Sequence, residues 1–305
     1  ILRCLVGSEM CIRDRGDTVK EKGIIVLMLF YNLSLLFVFK YMNFVCGILG
    51  LELSGWNITL PIGISFYTFQ AISYVIDVYR GQGEVQKNPL NVALYIAFFP
   101  QLIAGPIVRY QAIADQIEHR KESWSDFSDG VERFIIGLSK KLILANSFAP
   151  IADYAFGHIS ELSGVSAWIG ALCYTFQIYF DFSGYSDMAI GLGKMFGFQF
   201  LENFRYPYLS VSVSEFWRRW HISLGSWFRD YVYIPLGGSR VKTKVRLIGN
   251  LFVVWTLTGI WHGANWTFLL WGLWYFLLLT FEKMTGIPQN LQKKSGKILY
   301  YIFTI

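Results

Sequence analysis

A single histidine, His262, lies inside a stretch of 35 residues, Leu247–Phe281, that contains no Asp, Glu, Lys or Arg. An ionisable side chain inside such an apolar segment indicates a function. Neutral imidazole can serve as a general base near pH 7, which an acyl transfer to a hydroxyl requires. Trp261 and Trp266 would then wall a dry pocket, and Asn265 would donate a hydrogen bond to an oxyanion. The plainer alternative is a buried histidine whose ring pairs with a backbone carbonyl.

A second segment, FWRRWHISL, combines aromatic, basic and histidine side chains. On a helix, Trp217 and His221 would share a face, as would Arg218 and His221. Arg218, Arg219 and the nearby Arg229 could hold the phosphates of a donor that carries a nucleotide, such as coenzyme A. The alternative is a basic helix beside the membrane, whose arginines meet lipid head groups and whose tryptophans lie at the membrane interface.

Two other motifs have plainer explanations, which we favour. The carboxylates of Asp181–Asp187 are typical of a helix break with capping residues, although a proton relay is the alternative. Pro100–Pro106 is typical of a kink. His119 and His158 lie in polar stretches and are predicted to be surface residues. No His and carboxylate pair has metal-ligand spacing, so the sequence predicts no metal, and G-x-S-x-G, P-loop and dinucleotide motifs do not occur.

The composition is that of a membrane protein. Apolar residues make up 54% of the chain and charged residues 16%, against about 25% charged residues in soluble domains. The mean hydropathy is +0.39. The net charge is +6, but Lys and Arg lie in short segments between apolar runs, as the positive-inside bias produces. Because no solvated basic face is left for a phosphate backbone, we exclude nucleic acid as a partner.

The apolar runs predict a bundle of membrane helices, each needing about 20 apolar residues to span. Between Asp181 and Gly238, charges scattered among aromatic residues predict re-entrant and interfacial helices around a site. Leu247–Phe281 would be about 52 Å long as one helix, so it must fold back, with its hinge at Gly259–Asn265. Basic residues on both sides of this hairpin predict that its ends are cytoplasmic. The other predicted spans are Ile24–Phe39, Leu53–Ile76, Asn88–Val108, Phe134–Ala152 and Leu162–Phe180.

The first residues of the chain differ from the rest. Residues 1–15, ILRCLVGSEMCIRDR, lack the long apolar core and the cleavage site of a signal peptide. The run MCIRD corresponds to the translation of a DNA string that resembles a sequencing-library adapter. We therefore predict an adapter artefact over residues 1–15 and a single membrane domain over residues 16–305, truncated at both ends.

Four long motifs occur in this chain: FFPQLIAGPIVRY (98–110), YFDFSGYSDMAIGLGKMFGF (179–198), NFRYPYLSVSVSEFWRRWHISLGSWFRDYVYIPLGGSR (203–240) and TGIWHGANWTFLLWG (258–272). These motifs resemble those of the membrane-bound O-acyltransferase (MBOAT) family. The resemblance covers about Gly55–Glu282 and is to the bacterial branch that contains the alginate O-acetyltransferase membrane subunit, with peptidoglycan O-acetylating and teichoic acid D-alanylating relatives. The PLGGSR sequence favours the alginate side of this branch.

The resemblance implies an all-α polytopic protein of the bacterial cytoplasmic membrane, with a ring of transmembrane and re-entrant helices around a central channel. It implies transfer of an acetyl or other acyl group from a cytoplasmic thioester to a hydroxyl of a polysaccharide or to a periplasmic partner acetyltransferase. Acetyl-CoA is then a substrate, and no bound cofactor is expected. The family's near-invariant histidine matches His262, implying the base, and its second histidine matches His221, implying an essential positioning residue. Family members are longer, so this chain is expected to lack terminal helices.

Two other classes of protein remain as alternatives. A proton-coupled transporter or channel would use intramembrane Asp and His as a relay, but the paired repeats common in transporters do not occur in this sequence. A non-catalytic membrane scaffold of a polymer-modifying complex would tolerate glutamine at His262, whereas a catalytic base would not.

Overall fold

The computed structural model describes residues 18–51, 59–102, 105–287 and 300. These residues form helices and their connections without any β-strand, so the predicted all-α class is confirmed for this part of the chain. The α-helices are α1 (Thr18–Leu36), α2 (Met42–Ile48), α3 (Ile64–Tyr79), α4 (Pro89–Ala97), α5 (Tyr110–His119), α6 (Trp124–Ser139), α7 (Asn146–Gly157), α8 (Gly164–Met195), α9 (Val213–Arg219), α10 (Ile222–Phe228), α11 (Lys244–His262) and α12 (Trp266–Thr285).

Two π-helical turns join neighbouring α-helices without a break. Phe37–Tyr41 connects α1 to α2, and Lys140–Ala145 connects α6 to α7. The resulting helices, Lys22–Ile48 and Trp124–Gly157, are the two in the described ranges that are long and apolar enough to cross a membrane by length and composition. Of the other predicted spans, Leu162–Phe180 overlaps α8 over most of its length. Leu53–Ile76 overlaps α3, although residues 53–58 lie outside the described ranges, and Asn88–Val108 is α-helical only over α4.

The chain divides into two compact units. The first comprises the described residues up to Ile96 together with those from Phe204 onward, and the second is Ala97–Asn203. Both histidines of the predicted site, His221 and His262, belong to the first unit. The single membrane domain over residues 16–305 stays a prediction, and residues 1–15 lie outside the described part of the chain.

In the second unit, α6 and α8 approach closely through glycines. A Cβ atom on Gly137 would lie 2.5 Å from the carbonyl oxygen of Gly184, and one on Gly130 would lie 2.7 Å from that of Gly191. The contacted residue of α8 comes earlier in the chain as the contacting glycine of α6 comes later. The two helices are therefore antiparallel. Small residues are what allow helix backbones to approach this closely in membranes.

The predicted helix break between Asp181 and Asp187 is wrong, because α8 runs through both residues. Asp187 accepts hydrogen bonds from Arg133 at 2.8 Å and from Lys140 at 2.5 Å. Asp181 accepts one from Lys141. These basic partners lie on the helix that packs against α8. The two carboxylates therefore form ion pairs between helices and do not cap an end of α8.

Replacing Gly137 with alanine is expected to destabilise the second unit by about 1–3 kcal/mol, because the added methyl group must push two helix backbones apart. The measurement is the thermal unfolding temperature of the purified protein in detergent. Gly164→Ala is the matched control, since a Cβ atom there meets nothing within 4 Å. Equal unfolding temperatures for the two variants would contradict the close approach of α6 and α8.

The predicted kink at Pro100–Pro106 is instead the end of a helix. α4 ends at Ala97, and a short 3₁₀ turn that contains Pro100 follows it. Within the second unit, the Phe98 ring packs against that of Phe198 at 4.8 Å between centroids. Residues 103 and 104 of this motif lie outside the described ranges, and the rest of it serves packing and chain reversal.

Candidate active site

The predicted hairpin is confirmed, and its hinge places His262 at the end of a helix. α11 ends at His262 and α12 begins at Trp266, so only three residues connect them. The side chain of Asn265 caps α12 by accepting a hydrogen bond from the N–H of Thr267 at 3.1 Å. Asparagine is favoured at this position because its oxygen satisfies an orphan donor of the first turn.

Two glycines hold the arms of this hairpin together. A Cβ atom on Gly259 would lie 2.6 Å from the carbonyl oxygen of Phe268, and one on Gly272 would lie 2.5 Å from that of Trp255. Both distances are too short for any side chain larger than hydrogen. Glycine is therefore needed at both positions for the two helix backbones to come into contact. This contact fixes the end of α11 against α12.

The imidazole of His262 is half-buried among aromatic rings. Its centroid lies 5.0 Å from that of Trp261, 4.8 Å from that of Trp271 and 6.2 Å from that of Phe268. Such surroundings exclude water from most of the ring. A base in this setting works in a low dielectric, where electrostatic interactions are stronger than in water.

The ring of His221 also lies near that of Trp261, with 6.3 Å between the two centroids. His221 is 3% exposed and has left-handed backbone angles, φ 46° and ψ 52°, at the junction of α9 and α10. The prediction that Trp217 and His221 share a helix face is therefore wrong, because the helix ends before His221. The rings of both histidines thus lie within 6.3 Å of the Trp261 ring, measured between centroids.

A cavity of about 500 Å³ opens beside His221 in the first unit. Trp217 and Trp255 form part of its wall, and their rings meet at 4.9 Å between centroids. Thr258, also in the wall, lies one helical turn before His262. His221 is therefore part of the cavity lining, whereas His262 is not, and most of the lining is apolar.

The three predicted arginines have different positions. Arg218 and Arg229 are exposed and line the cavity, whereas Arg219 does not. Arg219 is held by Glu215 at 2.6 Å, and Arg229 pairs with the neighbouring Asp230 at 2.6 Å. The cavity thus has basic groups that a phosphate-bearing ligand could reach.

The remaining predicted residues divide into buried and exposed ones. Trp261 is buried and stacks near Phe69, with centroids 5.5 Å apart. Trp266 is 55% exposed and packs on Phe44, so it does not form a common wall with Trp261. Asn265 is exposed and its oxygen serves the helix cap, which leaves the amide N–H groups as its donors.

Sequence analysis missed two charged residues of this unit. Lys40, interpreted as the flank of a span ending at Phe39, lies inside the continuous helix and donates to the carbonyl of Trp261. Glu282, interpreted as the end of an apolar run, is 3% exposed and accepts hydrogen bonds from the backbone N–H groups of Val213 and Ser214 at 2.7 and 2.8 Å. For Lys40 the available signal was a single charge between Phe39 and Tyr41, whereas Glu282 is followed directly by Lys283 and had no such signal.

The chain belongs to the MBOAT, membrane-bound O-acyltransferase, family, which it matches over residues 85–292. This family consists of membrane proteins, and the match contains both histidines of the site.

Several curated relatives are similar to this chain. A probable alginate O-acetylase of Azotobacter vinelandii is 50% identical over 264 residues, covering 84% of this chain and 52% of the relative. A peptidoglycan O-acetyltransferase of Helicobacter pylori is 38% identical, covering 92% and 59%. A teichoic acid D-alanyltransferase of Bacillus subtilis is 33% identical, covering 74% and 61%. The predicted likeness to the alginate branch is confirmed, and the chain spans about half the length of the alginate relatives it matches.

Proposed function

We propose that this protein is a membrane-embedded O-acyltransferase that moves an acetyl group from a cytoplasmic thioester to a hydroxyl of an extracytoplasmic polysaccharide or of a partner protein. The observation that carries the proposal is that the rings of His221 and His262 both lie near the ring of Trp261, with His221 in the lining of a mostly apolar cavity that also has basic residues. The names of the relatives, a probable alginate O-acetylase, a peptidoglycan O-acetyltransferase and a teichoic acid D-alanyltransferase, support the same reaction class.

His262 acts as the general base in this proposal. Its imidazole takes the proton of the acceptor hydroxyl while the new carbon–oxygen ester bond forms, and the carbon–sulfur bond of the thioester breaks. The proton then passes to the leaving thiolate, so that the imidazole returns to its neutral form. A free hydroxyl is a weak nucleophile, which is why a base within a dry site accelerates the reaction.

The cavity is proposed to receive the donor, acetyl-CoA. Arg218, Arg229 and Lys283 are exposed in its lining and suit phosphate groups. The indole N–H groups of Trp217 and Trp261 are buried and have no acceptor within the described part of the chain. Buried N–H groups normally have a partner, and Trp217 lines the cavity, so its indole N–H is available to a carbonyl oxygen of the donor.

The membrane arrangement is also part of the proposal. We infer a multi-pass protein of the bacterial cytoplasmic membrane with the ring of helices that the family implies. Basic residues precede α11 and follow α12, and positive charge favours the cytoplasmic side at both ends of this hairpin. The hinge with His262 then lies within the membrane, where donor and acceptor can meet from opposite sides.

The ion pairs of α8 weigh against the transporter alternative. Asp187 is paired with Arg133 and Lys140, and Asp181 with Lys141. Both carboxylates are thus engaged in ion pairs between packed helices, a structural role that does not require a proton relay. The scaffold alternative makes a different prediction at His262, which the variants described in the Discussion test.

The experiment supplies radiolabelled acetyl-CoA to membrane vesicles from a host that lacks its own homologue and expresses the complete gene containing this chain. Acetate released by mild alkali from polymer is the expected product, above the level of vesicles with an empty vector. Transport of acetyl-CoA without ester formation would favour a transporter. Equal signals with and without the protein would contradict acyl transfer.

A further inference from the structure

The backbone carbonyl groups at the C-terminal end of α11 have no partners within the helix. The last four carbonyl groups of any α-helix have no intrahelical N–H donor, and water normally satisfies them. Inside a membrane little water is present to satisfy such a carbonyl, so an unpaired one is costly. No backbone N–H of the described residues caps α11 at Gly263. Side chains from elsewhere must therefore provide the donors.

Those side chains come from the π-helical turn between α1 and α2. The ammonium group of Lys40 donates to the carbonyl of Trp261, and the hydroxyl of Tyr41 donates to the carbonyl of Ile260 at 2.9 Å. Two consecutive carbonyls of α11 are thus satisfied by two consecutive residues of another helix. π-helical turns often occur at functional sites, and here the turn contains both donors.

Lys40 also reaches a third element. Its ammonium group donates to the hydroxyl oxygen of Ser65, near the start of α3, at 2.9 Å, and lies 5.5 Å from the Trp261 ring centroid. His262 is the next residue after the one whose carbonyl Lys40 binds. A cation at a helix C-terminus is favoured by the helix dipole, so its position at the end of α11 offsets part of the cost of a lysine at this depth.

We infer that Lys40 is a positioning residue for His262, because its ammonium group, with the Tyr41 hydroxyl, fixes the carbonyls that end α11 and thereby the direction of the imidazole. This inference rests on the proposed function of His262. The backbone contacts of α11 with α12 restrain the hairpin from one side, and the Lys40 hydrogen bonds restrain its end from the other. Without them the last turn of α11 is free to fray, and the base loses its alignment with the hydroxyl.

The test measures transfer from radiolabelled acetyl-CoA to polymer in the vesicles described above, for Lys40→Met, Lys40→Arg and Tyr41→Phe. Lys40→Met is expected to lower kcat about 100-fold and to change the KM for acetyl-CoA by less than about twofold, since misplacement of a catalytic group affects reaction more than binding. Lys40→Arg keeps a cationic donor and is expected to recover kcat to within about tenfold of wild type. Lys22→Met, a lysine substitution near the start of the same helix, is the control and is expected to match wild type.

The outcomes separate this inference from the proposed function. No transfer by the wild type would overturn both. Transfer by the wild type, with an unchanged kcat for Lys40→Met, would overturn only the role of Lys40, as would a loss that appears wholly in KM. If Lys40→Met does not reach the membrane, Tyr41→Phe decides, because it removes one carbonyl partner and keeps the charge. A lower kcat for Tyr41→Phe at unchanged KM supports the inference, and an unchanged kcat overturns it.

Discussion

Replacing His262 with alanine or glutamine is expected to abolish acetyl transfer, with a loss of about 10²–10⁴-fold, the range that general base catalysis contributes. Glutamine keeps the size and hydrogen bonding of the side chain but cannot take a proton. A structural histidine would therefore be replaced by glutamine with little effect, and a base would not. The measurement is ester on surface polysaccharide after mild alkaline release, at equal amounts of protein in the membrane.

His119→Ala is the control for these variants, because His119 is an exposed histidine of the second unit, with 71% of its side chain accessible. It is expected to transfer acetyl at the wild-type rate. Ester retained by His262→Gln would remove His262 from the chemistry. That result would favour the scaffold alternative, or a mechanism based on His221.

Two replacements of His221 distinguish the contribution of its left-handed backbone from that of its imidazole ring. The left-handed backbone at this residue is tolerated by asparagine but strongly disfavoured for a β-branched residue. His221→Asn is expected to fold at the wild-type level and to lose about 100-fold in transfer, because the ring beside Trp261 is gone. His221→Val is expected to lose transfer and, in addition, about 1–2 kcal/mol of stability. Thermal unfolding in detergent and the vesicle transfer assay measure the two effects.

Tyr206 provides the matched control, since it is the other non-glycine residue of the described ranges with a left-handed backbone and is 72% exposed. Tyr206→Asn is expected to leave transfer unchanged. If His221→Asn also transfers acetyl normally, the imidazole has no part in the reaction and His221 serves only to turn the chain between α9 and α10. If Val and Asn variants unfold at the same temperature, the backbone argument fails.

The hairpin of α11 and α12 shows how much a sequence can determine locally. The uncharged stretch is longer than a membrane is thick, so it must reverse, and glycines on both sides of His262 identify the place. Composition alone likewise identifies a membrane protein, because 16% charged residues cannot cover a soluble surface of this size. These conclusions need only chain length, hydropathy and the conformational freedom of glycine.

Pairings between distant segments were not predictable in the same way. The sequence around Asp181 and Asp187 suggested a helix break. Basic residues about 40–54 positions earlier in the chain instead form ion pairs with both carboxylates within an uninterrupted helix. Local sequence suggested a common helix face for Trp217 and His221, but the backbone turns at His221 into a left-handed conformation. Local propensity is a weak guide where tertiary contacts contribute more energy.

The sequence by itself determined the class of protein and the hinge, and it singled out His221 and His262 as candidates. Only the tertiary structure showed that Lys40 binds a carbonyl at the end of α11, 221 positions away in the sequence. It likewise showed that Glu282 accepts a hydrogen bond from the N–H at the start of α9, 69 positions away. The physical reason is that a charged side chain within an apolar segment requires a partner, but the residue type alone does not identify that partner. That choice depends on which carbonyl or N–H group the packed helices bring within hydrogen-bond distance.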